Sequence, residues 1–202
     1  MSVKAESCME IARRTVELGK KIADARKEGK IPTLFVGIAG EFLVMAKLAQ
    51  RKLPFEIKGG QAGHDFELNG KKLEVRTSRL KDEGFFSKGK NIRNFGWKLK
   101  GKGKDIKFDY VVCVALNETD VKNSKCYVLT KNEVEEAPPV KLPRFKKVEK
   151  RLWIFLDLQT MKKAKIDRPK YVSSWEENIN LNRDKFLLDN RWKTLFNKTS
   201  EH

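Results

Sequence analysis

Apolar and polar positions along the chain change period several times, and each change marks an element. Between positions 5 and 28, Ile11, Leu18, Ile22 and Ala25 recur near helical spacing, with Arg13, Arg14, Lys20, Lys21 and Lys27 between them. This predicts a helix stopped by Gly29, with a basic stripe that could face DNA or a partner subunit. Residues 31–46 hold a single charge, Glu41. That pattern predicts a buried helix formed by Gly40 and running to about Gln50. Pro54 ends the connection, and Phe55 to Lys58 alternate as a short strand does.

His64 to Leu68 and Lys71 to Arg76 also alternate, separated by Asn69-Gly70. Both turn residues tolerate positive φ, so the pair predicts a two-residue β-hairpin. Such a turn sets the register: Leu68 opposite Lys71, Glu67 opposite Lys72, Phe66 opposite Leu73, Asp65 opposite Glu74. Phe66, Leu68, Leu73 and Val75 then share the core face, and Asp65, Glu67, Lys72, Glu74 and Arg76 the other. Residues 81–107 read as a basic, glycine-rich stretch with interspersed aromatics. Phe108 to Leu116 reads as a strand buried on both faces. Further strands are expected at Cys126 to Thr130 and Leu152 to Leu158, with a short helix or turn at Asn132 to Glu136. From Ser173 the chain reads as helical, with Ser174 a capping residue and Phe186, Leu187, Trp192, Leu195 and Phe196 an apolar face. The order is that of an α/β fold with a mixed sheet.

Composition narrows the chemistry. The 202 residues suit one domain, and 40% apolar content supports a sizeable core. No run reaches the ~18 apolar residues of a membrane span. The N-terminus has no signal-peptide core, so the expectation is a soluble, cytoplasmic protein. Three cysteines, Cys8, Cys113 and Cys126, form neither a disulfide framework nor a zinc site; the last two read as core. The net charge of +17 points to a polyanion, nucleic acid first. A basic protein without such a partner, or one touching acidic lipids, is the alternative. His64 is the only internal histidine. Chemistry needing two histidines is therefore excluded, and a Ser-His-Asp triad would rest on His64 alone. Hydrolysis here would run on carboxylates, lysines and a hard metal.

Asp65 and Glu74, opposed in the hairpin, would place their Cβ atoms ~4.5–5.5 Å apart. Carboxylates that close call for a proton or a cation. A divalent metal is the simplest cation; a solvated face with Glu67, Lys72 and Arg76 is the alternative. Glu41 needs a partner or a task if it is buried; the alternative places it at a helix N-terminus or on an exposed stripe.

A Gly-Glu opening a helix, then a strand, then Asp in a hairpin followed by Glu-x-Lys is the pattern of the PD-(D/E)XK superfamily of nucleases. Gly40-Glu41, Asp65 and Glu74-Val75-Arg76 resemble it, as does the apolar strand at 108–116. The likeness covers roughly residues 35–130, to restriction endonucleases and archaeal Holliday-junction resolvases. It implies a restriction-endonuclease-like core, αβββαβ, with a central mixed sheet flanked by helices. A single nuclease domain would span 1–202: an N-terminal helix (1–30), the catalytic core (31–131) and a C-terminal extension (132–202). It also implies that Asp65 and Glu74 hold Mg²⁺, with Mn²⁺ a substitute and the Val75 carbonyl a further ligand. Glu41 would orient the attacking water, and the product would carry a 5′-phosphate. Two departures stand out. Gly63-His64 replaces the proline region, and Arg76 replaces the lysine. Arginine cannot give up its proton but can hold a phosphate; Lys72, two residues back, could supply an ammonium group.

Lys88, Lys90, Arg93, Lys98, Lys100, Lys102 and Lys104 are candidate phosphate contacts, Trp97 a base-stacking residue, and Gln61 a reader of base edges. The alternative is a basic loop whose aromatics pack on the core. For His64 the structural role is favoured. Three functions fit: a sequence-specific, type II-like restriction endonuclease working as a homodimer on double-stranded DNA; a structure-selective repair or recombination nuclease; or a non-catalytic DNA-binding module.

Overall fold

The computed structural model describes residues 4–58, 63–83, 92–101, 105–142, 147–167 and 172–196. Helix α1 (Ala5–Ala25) buries Cys8, Ala12, Val16, Gly19 and Ala23. The larger residues expected inside lie out: Ile11 is 40% exposed and Leu18 51%. Close helix contact explains the difference. A Cβ on Gly19 would sit 2.4 Å from Ile31 Cγ2, so the inner face must be small. After Lys27 and Gly29, both at positive φ, helix α2 (Thr33–Gln50) begins directly behind Pro32, seven residues before Gly40. By length and composition α2 is apolar enough to cross a membrane. Here its inner residues Val36, Ala39, Leu43, Val44, Ala46 and Leu48 join the core packed by α1 and the first sheet.

That sheet has the order β1-β2-β3-β6-β7. Its strands are β1 (Glu56–Ile57), β2 (Phe66–Leu68), β3 (Lys71–Arg79), β6 (Tyr110–Leu116) and β7 (Lys125–Thr130). The hairpin forms in the expected register, with Phe66 opposite Leu73, Glu67 opposite Lys72 and Leu68 opposite Lys71. Asn69 and Gly70 take φ of 50° and 73°. Strands β3 and β6 run parallel, and β6 and β7 antiparallel. The sheet is mixed, and the fold is α/β with helices against it. Strand β6 is buried on both faces: Val112, Val114 and Leu116 meet the helices, while Val111, Cys113 and Ala115 face away from them.

The second face packs on a second sheet, which the sequence reading did not anticipate. It has the order β4-β5-β9-β8, from β4 (Lys81–Glu83), β5 (Ile92–Gly101), β8 (Pro139–Leu142) and β9 (Lys147–Phe155). An αβββαβ core calls for a helix between β3 and the strand parallel to it. Among the described residues that crossover carries β4 and β5 instead. The basic stretch therefore is not a loop: Phe95, Trp97 and Leu99 alternate inward against Val111, Cys113, Tyr127 and Leu129. Strand β9 stops at Phe155, short of the expected Leu158, which begins α4 (Leu158–Asp167). Ile92, Trp153 and Phe155 face α4 through Met161 and Ala164. Helix α3 (Lys131–Glu136) is capped by Thr130. Helix α5 (Ser174–Leu181) is capped by Ser173, one residue before the expected Ser174. Helix α6 (Leu188–Phe196) is tied to β7 by Arg191, which donates to Val128 O and to both oxygens of Glu133. All three cysteines are buried.

One contact sets the position of α2 on the sheet. A Cβ built on Gly40 would lie 1.8 Å from Thr77 Oγ1 and under 3 Å from the Cβ and Cγ2 of that residue, so no rotamer of Thr77 relieves it. Gly37, in the same helix, faces open space. Paired substitutions separate packing from helix propensity. Gly37→Ala is expected to raise unfolding free energy by about 0.8–1 kcal/mol. Gly40→Ala should lower it by about 1–3 kcal/mol despite the same propensity gain. Urea denaturation of both variants checks this.

Candidate functional site

Strand β2 pairs with β3 only from Phe66 onward, and Asp65 takes over the edge of β3 beyond it. Its backbone N–H donates to Leu73 O at 2.9 Å, and its carboxylate Oδ2 accepts from the Val75 N–H at 2.7 Å. Asp65 is thus not laddered opposite Glu74, as the hairpin register predicted. Its side chain stands in for a strand carbonyl one residue further along, because a carboxylate is the stronger acceptor for a buried N–H. The result still brings the carboxylates together. Gly40 seats α2 on Thr77, and Glu41 follows it into the same neighbourhood. The charges of Glu41, Asp65 and Glu74 act on one another.

The electrostatics follow from burial. The Glu74 side chain is only 12% exposed. Burial pushes its carboxyl up to about 7; the Arg76 guanidinium pulls it down, and the charges of Asp65 and Glu41 add to the rise. Glu41 is also raised, by burial and then by Asp65. Arg76 Nη2 lies 2.6 Å from Glu74 Oε1, with the Arg76 side chain 48% exposed. Lys72 shares the face of β3, but its charge is not among those that perturb Glu74 or Glu41. Its backbone is held by Asp109, whose Oδ2 accepts from the Lys72 N–H at 2.8 Å. Among the described residues, no three or more His, Cys, Asp or Glu side chains converge on one metal position as they stand. Mg²⁺ takes one or two carboxylates from a protein and keeps waters for the rest. Asp65 and Glu74 match that donor set in number and in hardness.

The candidate DNA contacts divide. Trp97 is 2% exposed, stacks on Phe95 and donates its indole N–H to Val114 O at 3.2 Å. Turning it out to a base would forfeit that bond and on the order of 2–3 kcal/mol of burial, so Trp97 is a core residue and not a stacking platform. Lys98 is exposed but bonded to Glu149 Oε1 at 2.6 Å. Arg93 is exposed at the rim of a cavity between the two sheets. Lys100 lies on β5. Gln61, Lys88, Lys90, Lys102 and Lys104 lie outside the described residues. His64 is buried, the structural role favoured for it. The basic stripe of α1 is partly offset: Arg13 pairs with Glu10 and Glu17, and Arg14 with Glu10. A group of cations from α1, β3, β4 and the turn before α2 went unnoticed in the sequence, because its members are distant along the chain. The core role of Phe95 and Trp97 was legible in principle, since Asn94, Gly96 and Lys98 alternate with them.

No family model, curated protein or solved structure matches this chain. The reading of this site therefore rests on its residues.

The raised carboxyl of Glu74 makes a signed prediction. In the folded chain it holds a proton that the unfolded chain releases near 4.5. The stability it contributes is present below that pH and is lost as pH rises through about 7. Glu74→Gln should therefore flatten the fall in thermal stability between pH 4.5 and 8. The variant should be the more stable protein at pH 8, and parallel melting curves for the two would refute the assignment.

Proposed function

We propose that the chain is a Mg²⁺-dependent nuclease acting on double-stranded DNA. One observation carries this: Glu41, Asp65 and Glu74 are brought together from a helix, a strand end and a strand centre, beside an arginine, with the carboxyls of Glu41 and Glu74 raised. Burying like charges is unfavourable without a compensating cation or proton, and such sites are often functional. The net charge of +17 supplies the general attraction to DNA.

Asp65 and Glu74 would hold Mg²⁺, or Mn²⁺ in its place, which when bound acidifies water and withdraws charge from the phosphate. The planar guanidinium fork of Arg76 matches two phosphate oxygens. It neutralises charge that develops on the phosphate but takes no proton. Glu41, with its raised proton affinity, suits the acceptance of a proton from the attacking water. Because one centre cuts one strand, a C2 homodimer accounts for double-strand cleavage. A restriction-type endonuclease reading discrete sites is the form proposed, with a structure-selective repair nuclease as its neighbour. The Arg76–Glu74 ion pair favours a different reading, a DNA-binding module without catalysis, since the guanidinium already occupies a carboxylate oxygen.

Asp65→Asn is the informative variant. The amide oxygen can still accept from the Val75 N–H, so the edge of β3 survives while the charge is removed. Plasmid DNA incubated with Mg²⁺ should give discrete products, absent in EDTA and reduced at least about 100-fold in Asp65→Asn. Nicking or smearing with the same dependence would mark the repair-type enzyme. If neither plasmid nor a four-way junction is cut in Mg²⁺ or Mn²⁺ while DNA is still bound, the nuclease reading falls and the binding module stands.

A further inference from the structure

A cavity of about 680 Å³ lies between the two sheets and shares no residue with the carboxylate site. Phe95 of β5, Tyr127 of β7, Ile154 of β9 and Leu187 before α6 supply its apolar wall. Tyr127 is only 6% exposed, and its ring meets Trp97 edge-on with centroids 6.2 Å apart. Among the described residues its hydroxyl has no hydrogen-bond partner, yet it is not sealed from solvent. An unpartnered hydroxyl on so buried a ring opens on the cavity that the ring lines. A buried tyrosine ordinarily finds a partner for its O–H, and phenylalanine would serve as well here if packing were the only task. Burial raises the proton affinity of this hydroxyl, with Arg183 opposing and Asp184 adding. The two charged groups therefore lie within its reach, and the phenol stays a neutral donor and acceptor.

Both charged groups line the cavity. Arg183 Nη1 donates to Phe155 O at 3.3 Å and to Leu156 O at 3.1 Å. Those carbonyls are neutral, so they orient the guanidinium without cancelling it. Asp157, held low chiefly by the Thr160 N–H, senses the charge of Arg183 as well. Nη2 and Nε of Arg183 remain for another acceptor. Asp184 is exposed, and its backbone oxygen rather than its carboxylate takes the Leu187 N–H and the Asn190 amide. An apolar ligand would leave phenol, guanidinium and carboxylate without partners. A phosphate would meet the Asp184 charge. A flat heterocycle with donors and acceptors on its edge satisfies all three while its faces rest on the apolar wall. Guanine matches best: O6 and N7 accept from an arginine, and its adjacent N1–H and 2-amino groups face a carboxylate. Adenine and cytosine offer an amino group without that neighbouring N–H.

We propose that this cavity binds a guanine base, with Phe95 and Tyr127 against the ring, Arg183 on its acceptor edge and Asp184 on its donor edge. The inference goes beyond the nuclease reading and does not depend on it. The volume falls in the ~300–1,000 Å³ range of ligand pockets, room for the sugar as well as the base. A free nucleoside and an unstacked base of a strand present the same chemistry.

The test is calorimetric titration with guanosine, which is uncharged and so is not drawn by the net charge of +17. Wild type should bind it with a dissociation constant on the order of 10–100 μM, as a ligand of this size allows. Adenosine, cytidine and ribose 5-phosphate should bind at least about 10-fold more weakly. Tyr127→Phe keeps the ring and should lose about 10-fold for guanosine. Asp184→Asn should lose the preference for guanosine over adenosine, while Asp24→Asn, at an exposed position on α1, should match wild type. Thermal melts establish that each variant is folded. A wild type that does not bind guanosine, a competitor bound as tightly, or folded Tyr127→Phe and Asp184→Asn variants that bind as wild type overturns the proposal. If Tyr127→Phe is unfolded, Asp184→Asn decides alone. Fluorescence anisotropy on a thymidine strand with one central guanine, beside an all-thymidine strand, identifies the source of the base. Tighter binding of the guanine strand, displaced by guanosine and lost in Tyr127→Phe, assigns the cavity to a base on a strand. Equal binding of the two strands assigns it to the free nucleoside.

Discussion

Helix α2 lies against β3 at a separation that only glycine permits at position 40, and much of the site depends on that contact. The hydroxyl of Thr77 is buried beneath it with no hydrogen-bond partner among the described residues. A β-branched side chain with a stranded hydroxyl is a poor surface on which to fit anything larger. The close approach is what carries Glu41 from the helix layer to the strand that bears Glu74. A wider spacing would move Glu41 away from Asp65 and Glu74 and weaken the charge interactions among them. The same logic operates one layer out, where Gly19 brings α1 close to Ile31 and Phe35. The small residues of this half of the molecule are therefore positioning elements for a charged site.

A second constraint is the treatment of strand edges. Strand β2 is too short to cover β3, and Asp65 completes the edge with its carboxylate. Strand β9 meets the same problem where β8 ends. There α5 supplies the partners: Glu176 accepts from the Trp153 N–H, while Asn180 accepts from the Phe155 N–H and donates to Trp153 O. Arg183 closes the run on Phe155 O and Leu156 O. Burial pushes the Glu176 carboxyl up to about 8. Side chains that imitate a neighbouring strand block edge-to-edge association, and buried backbone groups are left paired. At β9 the device is structural. At β3 it leaves a carboxylate beside two others, the arrangement on which the proposed nuclease site rests.

The charge of the chain is organised rather than spread. Many arginines and lysines are paired with carboxylates within or between elements, and such pairs contribute little to long-range attraction. The cations that retain their field are those bonded to carbonyl oxygens or left exposed. Lys20 and Arg79, bonded to carbonyl oxygens, are of this kind, whereas Arg76 pairs with Glu74.

From the sequence alone, alternation and an Asn-Gly turn determined the β2–β3 hairpin and its register. Apolar continuity determined the buried helix and the doubly buried strand β6. Local rules suffice there, since turn geometry and face periodicity act over a few residues. The chain also showed which carboxylates stand out, by placing Glu41 in an apolar run and Asp65 and Glu74 across a turn. It did not show the second sheet. The alternation of Phe95, Trp97 and Leu99 was present, but whether such a face is a surface or a core depends on a partner face supplied by β6 and β7. Nor did it show that α1 would turn its small residues inward, since that follows from the approach of α2. The pull on Glu74, the edge role of Asp65 and the convergence of Lys20, Lys30, Arg79 and Lys81 were decided by tertiary structure. Each depends on burial or on distances between residues far apart in the chain, and neither quantity exists until the layers have packed.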